Sequence, residues 1–571
     1  MARTLLALLL LTGRLSAAQA PAWQSARAVA VATLGPTGNS SVTAIAVDAA
    51  GNVYLAGSFV NSVVLGGTTL TCIGGPDVFV AKFNPISSQF VWAQRAGGMG
   101  SDYATALAVS DAGVYVAGTF SGSTASFGPT VLANAGFEDV FVAKLTDAGS
   151  TGSFAWAQRV GGTGYDYASV LVVSGTSMYM AGAFKGTTAG FGPITLTNTN
   201  SGTSDVFVAK LTDAGNTGGF AWAQRAGGTS DEVSSALAVS GTSVYMTGRF
   251  GSPTADFGPA TLALTNSSTA YSTDVFVAKL NDAGNTGSFI WAQRAGGTGC
   301  DEASALAVSG TSVYVAGGFM SPTAAFGSIN LTNSGSDDVF VAKLTDAGNT
   351  GSFVWAQQAG GMGNDIAYAL AASRSSVYVA GCFGIPTGGF GSTTLTNAGS
   401  GRYTGDVFVA KLTDAGSSGG FAWAQRAGGT GDDIATSLAV TGTSIYVGGH
   451  FDGYTADFGA TTLANPNANP NFIAKLGFLA ALTDPTLTAP TAPTGPREVA
   501  ALYPNPARRT ATLRLPAGTT PAPLTLTDAL GRAVRRYSAP AGPEAALDLG
   551  GLPAGLYLLR GAGPAQRLVV E

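Results

Sequence analysis

Residues Asp338–Phe383 read DVFVAKLTDAGNTGSFVWAQQAGGMGNDIAYALAASRSSVYVAGCF. Close copies begin at Asp77, Asp139, Asp205, Asp274 and Asp406, and a worn copy at Asn471. A period of roughly 65 residues marks stacked supersecondary units, none of which can bury its faces alone. In Val339–Leu344 apolar residues occupy both parities of the run. A strand with one wet face would alternate, so both faces of this strand are expected to be covered.

Working outward, each unit holds four strand-like runs, denoted a to d, separated by Gly, Asn, Asp and Ser at turn positions. Strand a (Ala44–Val47 and equivalents) and strand b (ending at Phe59, Phe120, Phe184, Phe250, Phe319, Phe383 and Phe451) each occur seven times. Strand c carries Lys82, Lys144, Lys210, Lys279, Lys343, Lys411 and Lys475. Strand d carries only six tryptophans: Trp92, Trp156, Trp222, Trp291, Trp355 and Trp423. The seventh, Trp23, precedes the first strand a, while the last unit stops after Phe472–Leu476. Four-stranded sheets packed face to face around an axis bury both faces, which is the β-propeller solution. The count predicts an all-β, seven-bladed β-propeller over 21–477, closed by the N-terminal strand of Trp23, leaving no edge open. A solenoid, the alternative, would need distinct capping repeats. Ala44–Phe59, AIAVDAAGNVYLAGSF, resembles the repeat of the bacterial seven-bladed propeller repeat family, and that resemblance implies the fold without implying an activity.

Composition agrees with strands and tight turns. Glycine supplies 81 of 571 residues and charged residues only 11%, against about a quarter charged in ordinary globular proteins. After the N-terminus no apolar run reaches the roughly 20 residues that a membrane helix needs. Residues 1–20 carry Arg3, the apolar Leu5–Leu11 and Ala18-Gln19-Ala20, the pattern of a cleaved signal peptide. Cys72, Cys300 and Cys382 fall at three different repeat positions, so no disulfide framework is expected. Residues 21–496 hold 17 Lys and Arg against 28 Asp and Glu, a net of about −11. An acidic body argues against nucleic acid as partner.

Residues 478–497 form a Pro/Thr/Ala linker. In 498–571, short alternating strands and Gly/Pro turns predict a small β-sandwich. Its Tyr503-Pro504-Asn505-Pro506, Asp528 with Gly531, Gly555 with Tyr557, and Arg567 resemble the type A C-terminal sorting domain of the type IX secretion system. The resemblance implies contact with the type IX machinery and export to the outer surface of a Gram-negative cell, attached or released.

No catalytic constellation, metal set or cofactor motif emerges. His450 is the single histidine, and no G-x-S-x-G supports a triad through it. The strand-c lysines, repeated in every unit, are expected in structural ion pairs, with Asp102, Asp166, Asp231, Asp301, Asp365 and Asp433 of the d-to-a crossings as partners. The DAG turns at Asp147, Asp213, Asp282, Asp346 and Asp414 read as Asx turns rather than calcium loops. One strand-b position varies between neighbours that hardly do: Ser58, Thr119, Ala183, Arg249, Gly318, Cys382 and His450. That ring is the candidate ligand site. The expected function is recognition of an extracellular glycan or protein by an exported monomer. A secreted enzyme acting on polysaccharide and a purely structural surface protein are the alternatives.

Overall fold

The computed structural model describes residues 20–31, 38–258, 264–265, 272–399, 404–468 and 474–487, and, of the C-terminal part, 501–503, 506–514, 523–528, 532–540, 542, 544–561 and 563–571. Positions 1–19 of the signal peptide expected over 1–20, positions 488–497 of the linker expected over 478–497, residues 498–500, and Pro504, Asn505 and Gly531 lie outside the described residues. The chain divides into two compact units, Met1–Leu487 and Thr488–Glu571. Among the described residues every regular element is a strand, and no helix is long and apolar enough to cross a membrane.

In the first unit antiparallel sheets repeat the order a, b, c, d. The second sheet, for example, contains Asp102–Ser110, Gly113–Ser121, Glu138–Asp147 and Gly152–Gly162. Strand c is buried along almost its whole length because successive residues face successive sheets. Val206 and Val208 pack with Phe276, Ala278 and Leu280 of the next sheet, whereas Phe207, Ala209 and Leu211 pack with Val140 and Val142 of the previous one. The double-parity apolar run is thus explained by two partners. The innermost strands pack in chain order, and the last, Asp433–Thr441, packs back on the first, Ser40–Val47.

The b-to-c connection, expected as a Thr/Gly/Asn-rich link, is itself a hairpin. Thr188–Phe191 and Ile194–Thr197 add to Gly152–Gly162 of the preceding sheet, giving it six strands. A glycine recurs in strand b because the chains approach closely there: a Cβ on Gly182 would stand 1.9 Å from the Tyr167 carbonyl oxygen.

The last sheet corrects the sequence reading in two places. Its strand c is Leu476–Thr483, so the body runs past 477, and strand continues where a linker from 478 was expected. Tyr446 pairs with Ala481, as Tyr378 pairs with Lys411. Ala481 therefore takes the lysine position, and Lys475 precedes the strand. Trp23–Ala28 does pair with Leu476–Thr483 as its outer neighbour. However, Ser25 lies opposite Ala481, so Trp23 occupies the place of Phe421, two residues before the usual tryptophan. The volume fits: Trp23 packs edge-on against Phe458 at 5.2 Å, as Phe421 does against Phe390 at 5.7 Å.

The second unit holds two antiparallel sheets, one of three strands and one of four, around Leu513, Leu526, Leu547, Leu559 and Leu568.

Candidate functional site

The repeated charged residues are consumed in holding sheets together. Lys144 Nζ donates to Asp213 Oδ2 of the next sheet at 2.6 Å, and Tyr115 donates its hydroxyl to the same oxygen at 2.7 Å. Asp213 Oδ1 accepts from Trp156 Nε1 at 3.3 Å and from the Gly215 amide at 2.9 Å. Lysine thus pairs with the DAG aspartate and not with the crossing acids expected. The same pair recurs as Lys82–Asp147, Lys210–Asp282, Lys279–Asp346, Lys343–Asp414 and Lys411–Asp484. A buried charge is tolerated only when paired and hydrogen-bonded, and here both oxygens are taken. Burial alone would raise the Asp282 carboxyl, but Lys210, Tyr179, Trp222 and the Gly284 amide hold it at about 2. The Asx turn is also present, as the i+2 glycine amides show. Leu482-Thr483-Asp484 is the sequence signal that could have placed the seventh copy.

The crossing acids form a second buried set at the opposite end of the strands. Asp102 Oδ2 accepts the Gly98 amide at 2.7 Å, and Asp77 accepts from Arg95; both carboxyls are wholly buried. Burial, and then the charge of Asp77, push Asp102 up to about 7. Asp166, Glu232 and Asp365 rise to about 7 chiefly through burial. In the fourth sheet the buried acid is Glu232, and the expected Asp231 is exposed beside it. Perturbed carboxyls can signal catalysis, but these recur in register with the same neighbours.

The variable strand-b ring is drawn into the junctions between sheets. Thr119, Ala183, Cys382 and His450 are buried, and Ser58 approaches Ser41 at 3.4 Å. Arg249 spans to Glu302 of the next sheet at 2.8 Å. A Cβ on Gly318 would touch Ile366. Cys382 borders a cavity of about 140 Å3 with Tyr368 and Asp432, while Ser58 borders a separate one of about 370 Å3 with Tyr103. Burial, then the Lys475 charge, hold His450 at about 4, a neutral ring at physiological pH. The ring positions are therefore distributed among junctions and are not gathered in one cleft.

What the sequence reading missed is an exposed aromatic group. Antiparallel order puts the d-to-a crossings and b-to-c connections on one face, and most exposed large apolar side chains lie there: Met99, Tyr103, Phe137, Tyr165, Tyr167, Met320, Met362 and Tyr454. Phe137 and Tyr165 stack at 4.9 Å and 7°, and Tyr165 and Tyr167 at 6.4 Å and 11°. The available signal was two aromatic residues at repeat positions that are polar or small elsewhere.

In the C-terminal unit, Tyr503 is exposed and donates its hydroxyl to Glu544 at 2.8 Å. Pro506 is exposed, Asp528 pairs with Tyr557 across the sheet, and Gly555 opens the next strand opposite Val570. Tyr557 is buried, with its hydroxyl on the Pro553 carbonyl at 2.7 Å, while Arg567 is exposed on the last strand. Residues 501–569 match the family described as secretion system C-terminal sorting domain. Such a domain marks proteins secreted by the type IX route and attached to or released from the cell surface, and this chain is one of them. Among curated proteins, none matches the chain.

Proposed function

We propose that residues 21–487 form a seven-bladed β-propeller that recognises an extracellular glycan or protein without catalysis, delivered by its type IX sorting domain. Support for the propeller comes from repeated a-to-d sheets, from shared apolar clusters between successive sheets, and from the return of the last inner strand onto the first. One observation carries the binding reading. The repeated ionisable side chains are spent on junctions, whereas most of the exposed apolar residues that break the repeat lie on one face. Contiguous exposed apolar surface marks interaction sites, and Phe137, Tyr165 and Tyr167 are in mutual contact on that face. The buried crossing acids, the raw material for a polysaccharide hydrolase, lie beneath that face and recur at one position in six of the seven sheets, as Asp102, Asp166, Glu232, Asp301, Asp365 and Asp433.

The test is a glycan and protein array probed with the exported chain, combined with analysis of released sugars. Retention of a defined ligand with no released product is expected. Released sugars, or retention of nothing on either array, would contradict the reading.

A further inference from the structure

Among the described residues, Phe137, Tyr165 and Tyr167 differ from the other exposed apolar groups in being ordered into one parallel stack. Phe137 is 65% exposed and Tyr165 43%. At the position of Phe137 the other units carry Gly75, Thr203, Ser272, Ser336 and Thr404, and at that of Tyr165 they carry Ser101, Asp231, Cys300, Asn364 and Asp432. The fold therefore does not need these rings, and water penalises their exposure.

The stack is held in place. The Phe137 amide donates to the Gly164 carbonyl at 3.2 Å, and the Lys185 amide to the Tyr165 carbonyl at 2.9 Å. Asn134 fixes the loop on both sides of Phe137, its Oδ1 accepting the Gly136 amide at 2.8 Å and its amide nitrogen donating to the Phe137 carbonyl at 3.4 Å. Tyr165 supports one face of the Phe137 ring, so a rigid aromatic surface is presented at small entropic cost.

Resting on the recognition reading above, we propose that this stack is a binding platform for a neutral, β-linked glucan, one pyranose lying on Phe137. A gluco-configured pyranose with equatorial hydroxyls offers a flat face of axial C–H groups to an aromatic ring, and its edge hydroxyls need polar partners. Glu138, whose backbone bridges to Tyr165 and whose charge acts on Tyr167, and the two tyrosine hydroxyls are the polar groups available for this. The acidic body, net about −11 over 21–496, disfavours uronate or sulfated chains. A protein partner would call for a wider, fully buried apolar core, whereas these rings are bordered by Asn134, Gly136, Thr163 and Gly164.

The experiment is affinity electrophoresis of the exported chain through soluble neutral β-glucan, comparing wild type, F137S/Y165S and F137W. Serine stands at both positions in other units (Ser336 and Ser101), so the double variant retains the fold, checked by near-UV circular dichroism. The double variant is expected to bind up to about tenfold more weakly, the worth of a lost stacking contact, and F137W to bind as wild type or better. Undiminished binding by F137S/Y165S would overturn the platform while leaving recognition in place. Absence of β-glucan binding with capture of another ligand on the arrays would do the same, and capture of nothing at all would overturn both.

Discussion

Lys210 and Asp282 meet at 2.6 Å with side chains about nine-tenths buried, beside the hydroxyl of Tyr179 and the indole of Trp222. Removing the cation alone leaves a carboxylate that burial has already penalised. Lys210→Ala is therefore expected to cost about 3–5 kcal/mol of unfolding free energy, read by urea titration. The seventh junction shows how the fold tolerates losing both charges: Ala481 and Pro85 stand at the lysine and aspartate positions. The double variant K210A/D282N is accordingly expected to be less destabilised than the two single effects summed. Strict additivity would show that lysine and aspartate act independently.

At the scale of elements, two sets of buried acids pull stability in opposite directions with pH. The DAG carboxyls are held low, Asp282 at about 2, so their contribution is present above the ordinary carboxylate value of about 4 and fades as pH falls through the folded value. The crossing carboxyls are held high, Asp102, Asp166 and Asp365 at about 7, so their contribution is full below about 4 and declines as pH rises toward 7. The urea midpoint should peak near pH 4 and fall toward pH 7. Asp102→Asn should flatten the neutral limb. A midpoint that climbs steadily from pH 4 to pH 7 would show that the crossing acids ionise freely.

The same elements explain what could be read from the sequence. Double-parity apolar runs, seven strand-b phenylalanines and repeated turns were local signals, and they led to the strands directly. Register at the last sheet was not local. Lys475 looked like the seventh lysine because AKL matched, yet the pairing follows Leu482-Thr483-Asp484, whose aspartate meets Lys411 at 2.9 Å. Trp23 was matched to its residue type, whereas the sheet uses it as the phenylalanine beside Phe458. Phe137 and Tyr165 are separated by a whole hairpin turn and meet only across the a-to-d order, so composition alone could not join them.

For the whole molecule, the consequential feature is the junction between the last sheet and the first. Ser40 and Leu476 replace the buried acid pair there, and Ala481 and Pro85 replace the lysine and aspartate. Contact between the last sheet and the first rests on apolar packing of Tyr446 and Leu479 with Val53, Leu55 and Phe79, and on short links. The Val29 amide donates to the Gly477 carbonyl at 2.7 Å, the Ser40 amide to the Lys475 carbonyl at 2.9 Å, and Thr436 Oγ1 to the Val42 carbonyl at 2.7 Å. An edge left open by losing Trp23–Ala28 would expose the backbone of Leu476–Thr483. Amide hydrogen exchange on the exported chain, with and without residues 21–31, tests this directly. Closure predicts slow exchange in both Trp23–Ala28 and Leu476–Thr483, with protection of Leu476–Thr483 lost on deletion. Free exchange at Trp23–Ala28 in the intact chain, or unchanged protection of Leu476–Thr483 after deletion, would contradict it.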